Sequence, residues 1–174
     1  MKQDGLTRKK VADKLSTRVE KFPAHRVQMY TDRGIIKPDV VNAKGRGTTR
    51  KYSNRNLLQI AIIGELREIS LSLKDIKRVF DLVEKLNPVD RLWFDPDGEH
   101  LTKGLLFMVI KNPGRDDMDV GLDLRIDPAK FLPVGLEKHR EDLTKKRDLV
   151  TVKMEQKTTV VILNISKIWE KIGV

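Results

Sequence analysis

Cysteine is absent from this chain of 174 residues, which removes disulfides, thiolate metal sites and thiol redox sensing together. Aromatic residues make up 5% of the chain, few for a surface that stacks single-stranded bases. Long apolar runs are missing too. Leu105 to Ile110 and Thr159 to Leu163 are the longest and are far too short to cross a bilayer, so no membrane partner is expected. Met1-Lys2-Gln3-Asp4 leads into no apolar stretch, so no secretory signal is expected and a cytoplasmic location is the default. Catalytic groupings are also lacking. Gly45-Arg46-Gly47 has no Lys-Ser/Thr pair of a phosphate-cradling loop, no Ser sits in a nucleophile elbow, and the carboxylates are scattered rather than paired. Neither enzymatic activity nor a cofactor is expected.

What the chain does have is positive charge, and all of it lies at one end. The net charge is +10, and residues 1–55 hold fifteen Lys and Arg against five Asp and Glu, while the remainder balances to zero. A basic segment of this kind releases counterions from a polyanion, which is the main source of non-specific DNA affinity. With 39% hydrophobic and 34% charged residues, the composition is that of a folded domain rather than a disordered chain.

Helical signals fill this basic end. Thr7 suits an N-cap, and Val11, Ala12 and Leu15 follow at helical spacing through Arg8 to Leu15. Ser16 to Phe22 reads as a connection, and Pro23 suits the first turn of a second helix running to about Asp32, with Val27 and Tyr30 inward. Gly34 then offers a C-terminal cap. Helix, short connection and helix make a helix-turn-helix. Val40-Val41, the loop Asn42 to Gly47 and Thr48 to Tyr52 read as a β-hairpin whose loop carries Lys44 and Arg46 and whose return carries Arg50 and Lys51. A hairpin with a basic tip behind two helices is a wing. Ser53 caps an apolar helix to about Ile69, and Ser72 caps another to about Leu86 with Leu73, Ile76, Val79, Phe80 and Val83 on one face. Asn87-Pro88 stops that helix and is the best domain boundary.

Beyond it the pattern changes. Gly104 to Ile110 and Val120 to Ile126 read as strands, Gly135 to Leu149 as a polar helix, Val150 to Met154 and Thr158 to Ile165 as a hairpin, and Ser166 to Ile172 as a closing helix. The expected fold is therefore α+β. A winged helix-turn-helix, mostly α with a short β-hairpin wing, occupies residues 1–87, and a small α+β dimerisation or effector domain occupies 88–174.

Four separate pieces of the first half resemble the DNA-binding domain of the mercury-resistance-regulator (MerR) family. They are Val27 to Tyr30, Asp32 to Pro38, Thr49 to Ser53, and Ile63 to Lys77, which agree with it in order and spacing over about residues 6–86. The resemblance implies a transcription regulator that binds double-stranded DNA as a homodimer on a palindromic promoter or operator, with RNA polymerase as a further partner. It also implies that Tyr30, Arg33, Arg50 and Tyr52 lie against DNA phosphates or pack under the wing. Arg can make charge-assisted bonds to phosphate, but phosphate contacts carry no sequence information. Ala24, His25, Arg26 and Gln28, near the start of the second helix, are the candidates for reading bases. Thr7, Arg8, Lys44, Arg46 and Lys51 complete the expected DNA-binding set.

The chain departs from the family in three places. Gln28 stands where Arg is common, so one phosphate clamp is expected to be either weakened or replaced by Arg26. Ser16 to Phe22 is a few residues longer than the usual turn, and Asn87-Pro88 interrupts the position of the long dimerisation helix. Leu136, Leu143 and Leu149 are sparse for a coiled coil, so dimerisation is expected through the second domain. An architectural or partition-type DNA-binding protein is the alternative reading, and an RNA-binding or protein-docking module a weaker third. His25, His100 and His139, and the acidic turn Asp116, Asp117 and Asp119, read as surface residues rather than metal ligands. Trp93 and Phe94 suit packing between the halves better than a small-molecule pocket.

Overall fold

The computed structural model describes residues 5–16, 21–41, 49–86, 105–112, 115–116, 118–125, 149–154 and 158–172. Four helices come first: α1 (Arg8–Leu15), α2 (Ala24–Asp32), α3 (Asn54–Glu68) and α4 (Leu73–Leu86). Strands β1 (Leu105–Lys111), β2 (Asp119–Arg125), β3 (Leu149–Met154) and β4 (Thr158–Asn164) follow, and α5 (Ile165–Ile172) closes the chain.

Side chains that occupy orphan backbone groups set the helix ends. The Thr7 hydroxyl accepts from the Lys10 amide at the start of α1. At its end the Ser16 hydroxyl donates to Ala12 O at 2.7 Å and accepts from the Phe22 amide at 2.9 Å, tying α1 to the approach to α2. Pro23 is the residue before α2, with extended dihedrals (φ −73°, ψ 127°), so the helix starts one residue later than the expected first-turn proline. Proline there lacks an N–H that would go unpaired in any case. Gly34 sits at φ 65°, and bonds from its amide to Thr31 O and from the Ile35 amide to Tyr30 O, both 2.9 Å, close α2 as a Schellman motif.

Ser53 and Asn56 form a capping box at the start of α3, satisfying two orphan donors reciprocally. That helix is apolar around most of its circumference, and Leu57, Leu58, Ile60, Ile63 and Leu66 are fully buried. It is the central element of the core. Its end repeats the Schellman pattern with Ser70 at φ 66° and Leu71 N bonded to Leu66 O. Ser72 caps α4 through the Asp75 amide, and Ile76, Val79 and Phe80 face inward.

The four strands form one antiparallel sheet in the order β2-β1-β4-β3. β1 pairs with β2 (Leu105 opposite Arg125) and with β4 (Leu105 opposite Asn164), and β3 with β4 (Leu149 opposite Leu163). Leu149, expected as the last residue of a helix, begins β3; the rest of that expected helix lies outside the described residues. So do Asn87-Pro88, Trp93, Phe94, His100 and His139. Asn164 accepts from the Lys167 amide to start α5. Ile168 and Ile172, one helical turn apart, are buried, and Lys171 reaches Glu65 of α3 at 3.3 Å. Arg78 of α4 donates to the carbonyls of Arg115 and Asp116 at 2.5 and 2.6 Å. Buried side chains from both halves, among them Ile63, Ile76, Ile110, Val161 and Ile168, belong to one core cluster.

Candidate nucleic-acid interface

α2 buries Val27 and Tyr30 and leaves His25, Arg26, Gln28, Asp32 and Arg33 exposed. Helical geometry sorts the exposed set into two flanks. His25, Gln28 and Asp32, at spacings of three and four, share the face opposite the core, whereas Arg26 and Arg33 lie to one side.

The outer face is joined to its neighbours on both sides. Arg8, in the first turn of α1, donates to the side-chain oxygen of Gln28. One turn farther along α2, Asp32 accepts from Arg50 Nη1 at 2.6 Å. That contact, first, and the Gln28 side chain together hold the Asp32 carboxyl below its ordinary range despite its exposure. Arg8, Gln28, Asp32 and Arg50 thus form a polar line across α1, α2 and the return segment of the expected wing. Two guanidiniums are held in place at the rim of an exposed helix, suited to phosphates on either side of a groove.

The segments that flank the expected wing are fixed by backbone pairing and by one polar cluster. Val41 and Lys51 bridge antiparallel, and Tyr52 pairs on its other side with Leu6. Asp39 accepts from the Ser53 hydroxyl at 2.7 Å and from its amide at 3.2 Å. Asn56, 1% exposed, accepts from the Asp39 amide at 3.2 Å and donates to Lys37 O at 3.0 Å and to Gln59 at 2.9 Å. The chain leaving α2 is therefore pinned to the first turn of α3 just before the Val41–Lys51 bridge. Residues 42–48, with Lys44 and Arg46, lie outside the described residues.

The expected contact residues divide accordingly. Arg8, Gln28 and Arg50 come together, His25 and Arg33 are exposed on α2, and Lys51 is half-buried at the bridge. The Thr7 hydroxyl is used in capping α1. Tyr30 and Tyr52 are 3% and 1% exposed, so both pack in the core rather than present a ring to solvent. The Tyr52 hydroxyl lies 3.1 Å from that of Thr31, and burial raises the Tyr30 phenol above its ordinary range, opposed by Arg26 and Arg67. Arg26 stands over the Phe22 ring at 5.8 Å, a cation–π contact on the flank away from Arg50.

Sequence reasoning missed Asp32 and Asp39 as members of the site. The interval of four from Gln28 to Asp32 was the available signal for the first. The second became visible only once α3 was placed beside residues 37–39.

Among the described residues no group of three or more His, Asp or Glu is arranged to hold a metal ion, and none of their helices is long and apolar enough to cross a membrane. Residues 3–82 match the family model of the MerR HTH family regulatory protein. No curated protein matches the chain.

Proposed function

Residues 3–82 belong to the MerR helix-turn-helix family of DNA-binding transcriptional regulators, and from that premise we propose that the protein acts as a homodimer on a palindromic promoter or operator. α2 is the recognition helix. His25 and Gln28 face base edges in the major groove; Arg8, Arg33, Arg50 and Lys51 take the phosphates on either side, and Lys44 and Arg46 at the wing tip follow the backbone beyond. Tyr30 and Tyr52 act through position, holding α2 and the return segment on the core.

The observation that carries this reading is the Arg8–Gln28 and Asp32–Arg50 line. It supports a recognition helix whose outer face is flanked by preset cations. Phosphate contacts set register and base contacts specify, and this arrangement offers both on one surface. Two-fold sites are the ordinary target of such modules because the protein pair shares their symmetry. Action alongside RNA polymerase at the promoter is part of the same proposal.

Genome-wide footprinting tests the proposal. Protection confined to a few promoter sites with two half-sites is expected. Broad coating would favour an architectural role instead, and no occupancy at all would reject both. Sedimentation of the full chain checks the homodimer, and a monomer at concentrations that saturate the operator would overturn it.

A further inference from the structure

A groove of about 690 Å³ lies between α2, α3 and α5, within the range of roughly 300–1,000 Å³ typical of small-molecule sites. Phe22, Met29, Ile60, Ala61, Ile168 and Ile172 supply its apolar lining. It is left open at Gly64, where an added Cβ would meet nothing within 4 Å. Its polar groups have a definite sign. Three cations and two acids line it, and one acid, Glu65, is already held by Lys171 at 3.3 Å. Arg26, Arg67 and Tyr30 all line the groove, and Arg67 Nη1 also donates to Leu71 O at 2.7 Å. No carboxylate pairs with either arginine among the described residues.

We propose that this groove binds a small amphipathic carboxylate, its chain against the apolar lining and its headgroup on Arg26, Arg67 and the Tyr30 hydroxyl. The regulatory consequence rests on the reading of α2 as the recognition helix; the binding itself does not. α2 contributes Arg26, Met29 and Tyr30 to the groove and α5 contributes Ile168, Lys171 and Ile172, so an occupant ties the closing helix to the helix that meets DNA. A carboxylate on Arg26 also neutralises one of the cations carried by α2, lowering the positive potential that draws phosphate towards that helix. Bound ligand therefore weakens DNA binding, and bound DNA weakens the ligand by the same factor.

Decanoate is a suitable probe, titrated calorimetrically into the full chain with decyltrimethylammonium as the control of opposite charge. Decanoate is expected to bind and the ammonium not. Arg67→Ala should weaken decanoate about tenfold, the size of a charge-assisted contact. Gly64→Leu should abolish binding by filling the groove while leaving DNA affinity unchanged, because leucine is favoured over glycine in a helix and Gly64 is remote from the α2 outer face. Absent decanoate binding, equal binding by Gly64→Leu, or equal binding of the ammonium would each overturn the site. Saturating decanoate is expected to lower operator affinity about tenfold, a usual coupling strength. Unchanged affinity with decanoate bound would overturn the coupling alone. Absence of DNA binding in any condition would reject the regulator reading and leave the groove standing.

Discussion

At the outer end of α2, Asp32 holds Arg50 at 2.6 Å, and under the proposed function a DNA phosphate at Arg50 has to share or replace that carboxylate. Arg50→Ala should weaken DNA binding at every sequence and reduce the slope of log affinity against log salt by about one. Asp32→Asn should do the reverse, strengthening binding a few-fold at low salt because a competing anion is gone. The same pair has a definite pH behaviour. The Asp32 carboxyl is depressed by its bond from Arg50, so its contribution to stability is complete above the unfolded carboxyl range. It is lost as pH falls through the lower folded value. Carboxyl NMR titration should find Asp32 below the usual aspartate range in the native protein and back within it in Arg50→Ala. A buried neighbour behaves differently. Asn56 spends both ends of its amide on Asp39, Lys37, Ser53 and Gln59, and Asn56→Ala leaves several of those groups unpaired in the interior. A loss of about 2 kcal/mol in urea unfolding is expected, with little change if the cluster rehydrates freely.

The elements differ in how much of them could be read from residues alone, and the helix ends show why. Thr7, Gly34, Ser53 and Ser72 act within a few residues of themselves, and each stands where the local pattern put it. Local chemistry decides local boundaries. Ser70 was harder: it occupies a left-handed position at φ 66°, where no glycine announces the turn. Ser70→Gly should therefore stabilise the protein by about 1 kcal/mol, since glycine carries no Cβ penalty there, and an unchanged denaturation midpoint would argue that the serine is unstrained. Strand signals were similarly local, and β1, β2, β3 and β4 fall within a residue or so of their apolar runs. Their order was not legible, because apolar alternation gives a strand a face but not a neighbour; the β1–β4 pairing joins segments some fifty residues apart. The same limit applied at the interface. Charge marked Arg8, Arg26 and Arg50 alike, and only the placement of α2 separated Arg26, over Phe22, from the two arginines on the outer line.

On the scale of the whole molecule, composition and packing divide the chain differently. Charge and the Asn87-Pro88 stop suggest halves at residue 87, yet the buried residues of both join one cluster. The join is specific. Ile168 and Ile172 of α5 are 1% and 3% exposed, Lys171 pairs with Glu65, and Arg78 bonds to the turn after β1. Apolar burial rather than the exposed ion pair supplies most of the strength, because such pairs contribute little beside a buried isoleucine. A shared core of this kind makes the two parts unfold together. Calorimetry of the full chain should give one transition, with Ile168→Ala lowering it through a loss of about 2–5 kcal/mol. The decisive comparison uses two probes on that variant. If α5 is integral to the core, amides of α3 and amides of the sheet should lose exchange protection by the same amount. If the DNA-binding part stands by itself, the sheet alone should weaken, and α3 should keep its protection despite having lost the side chain packed against it.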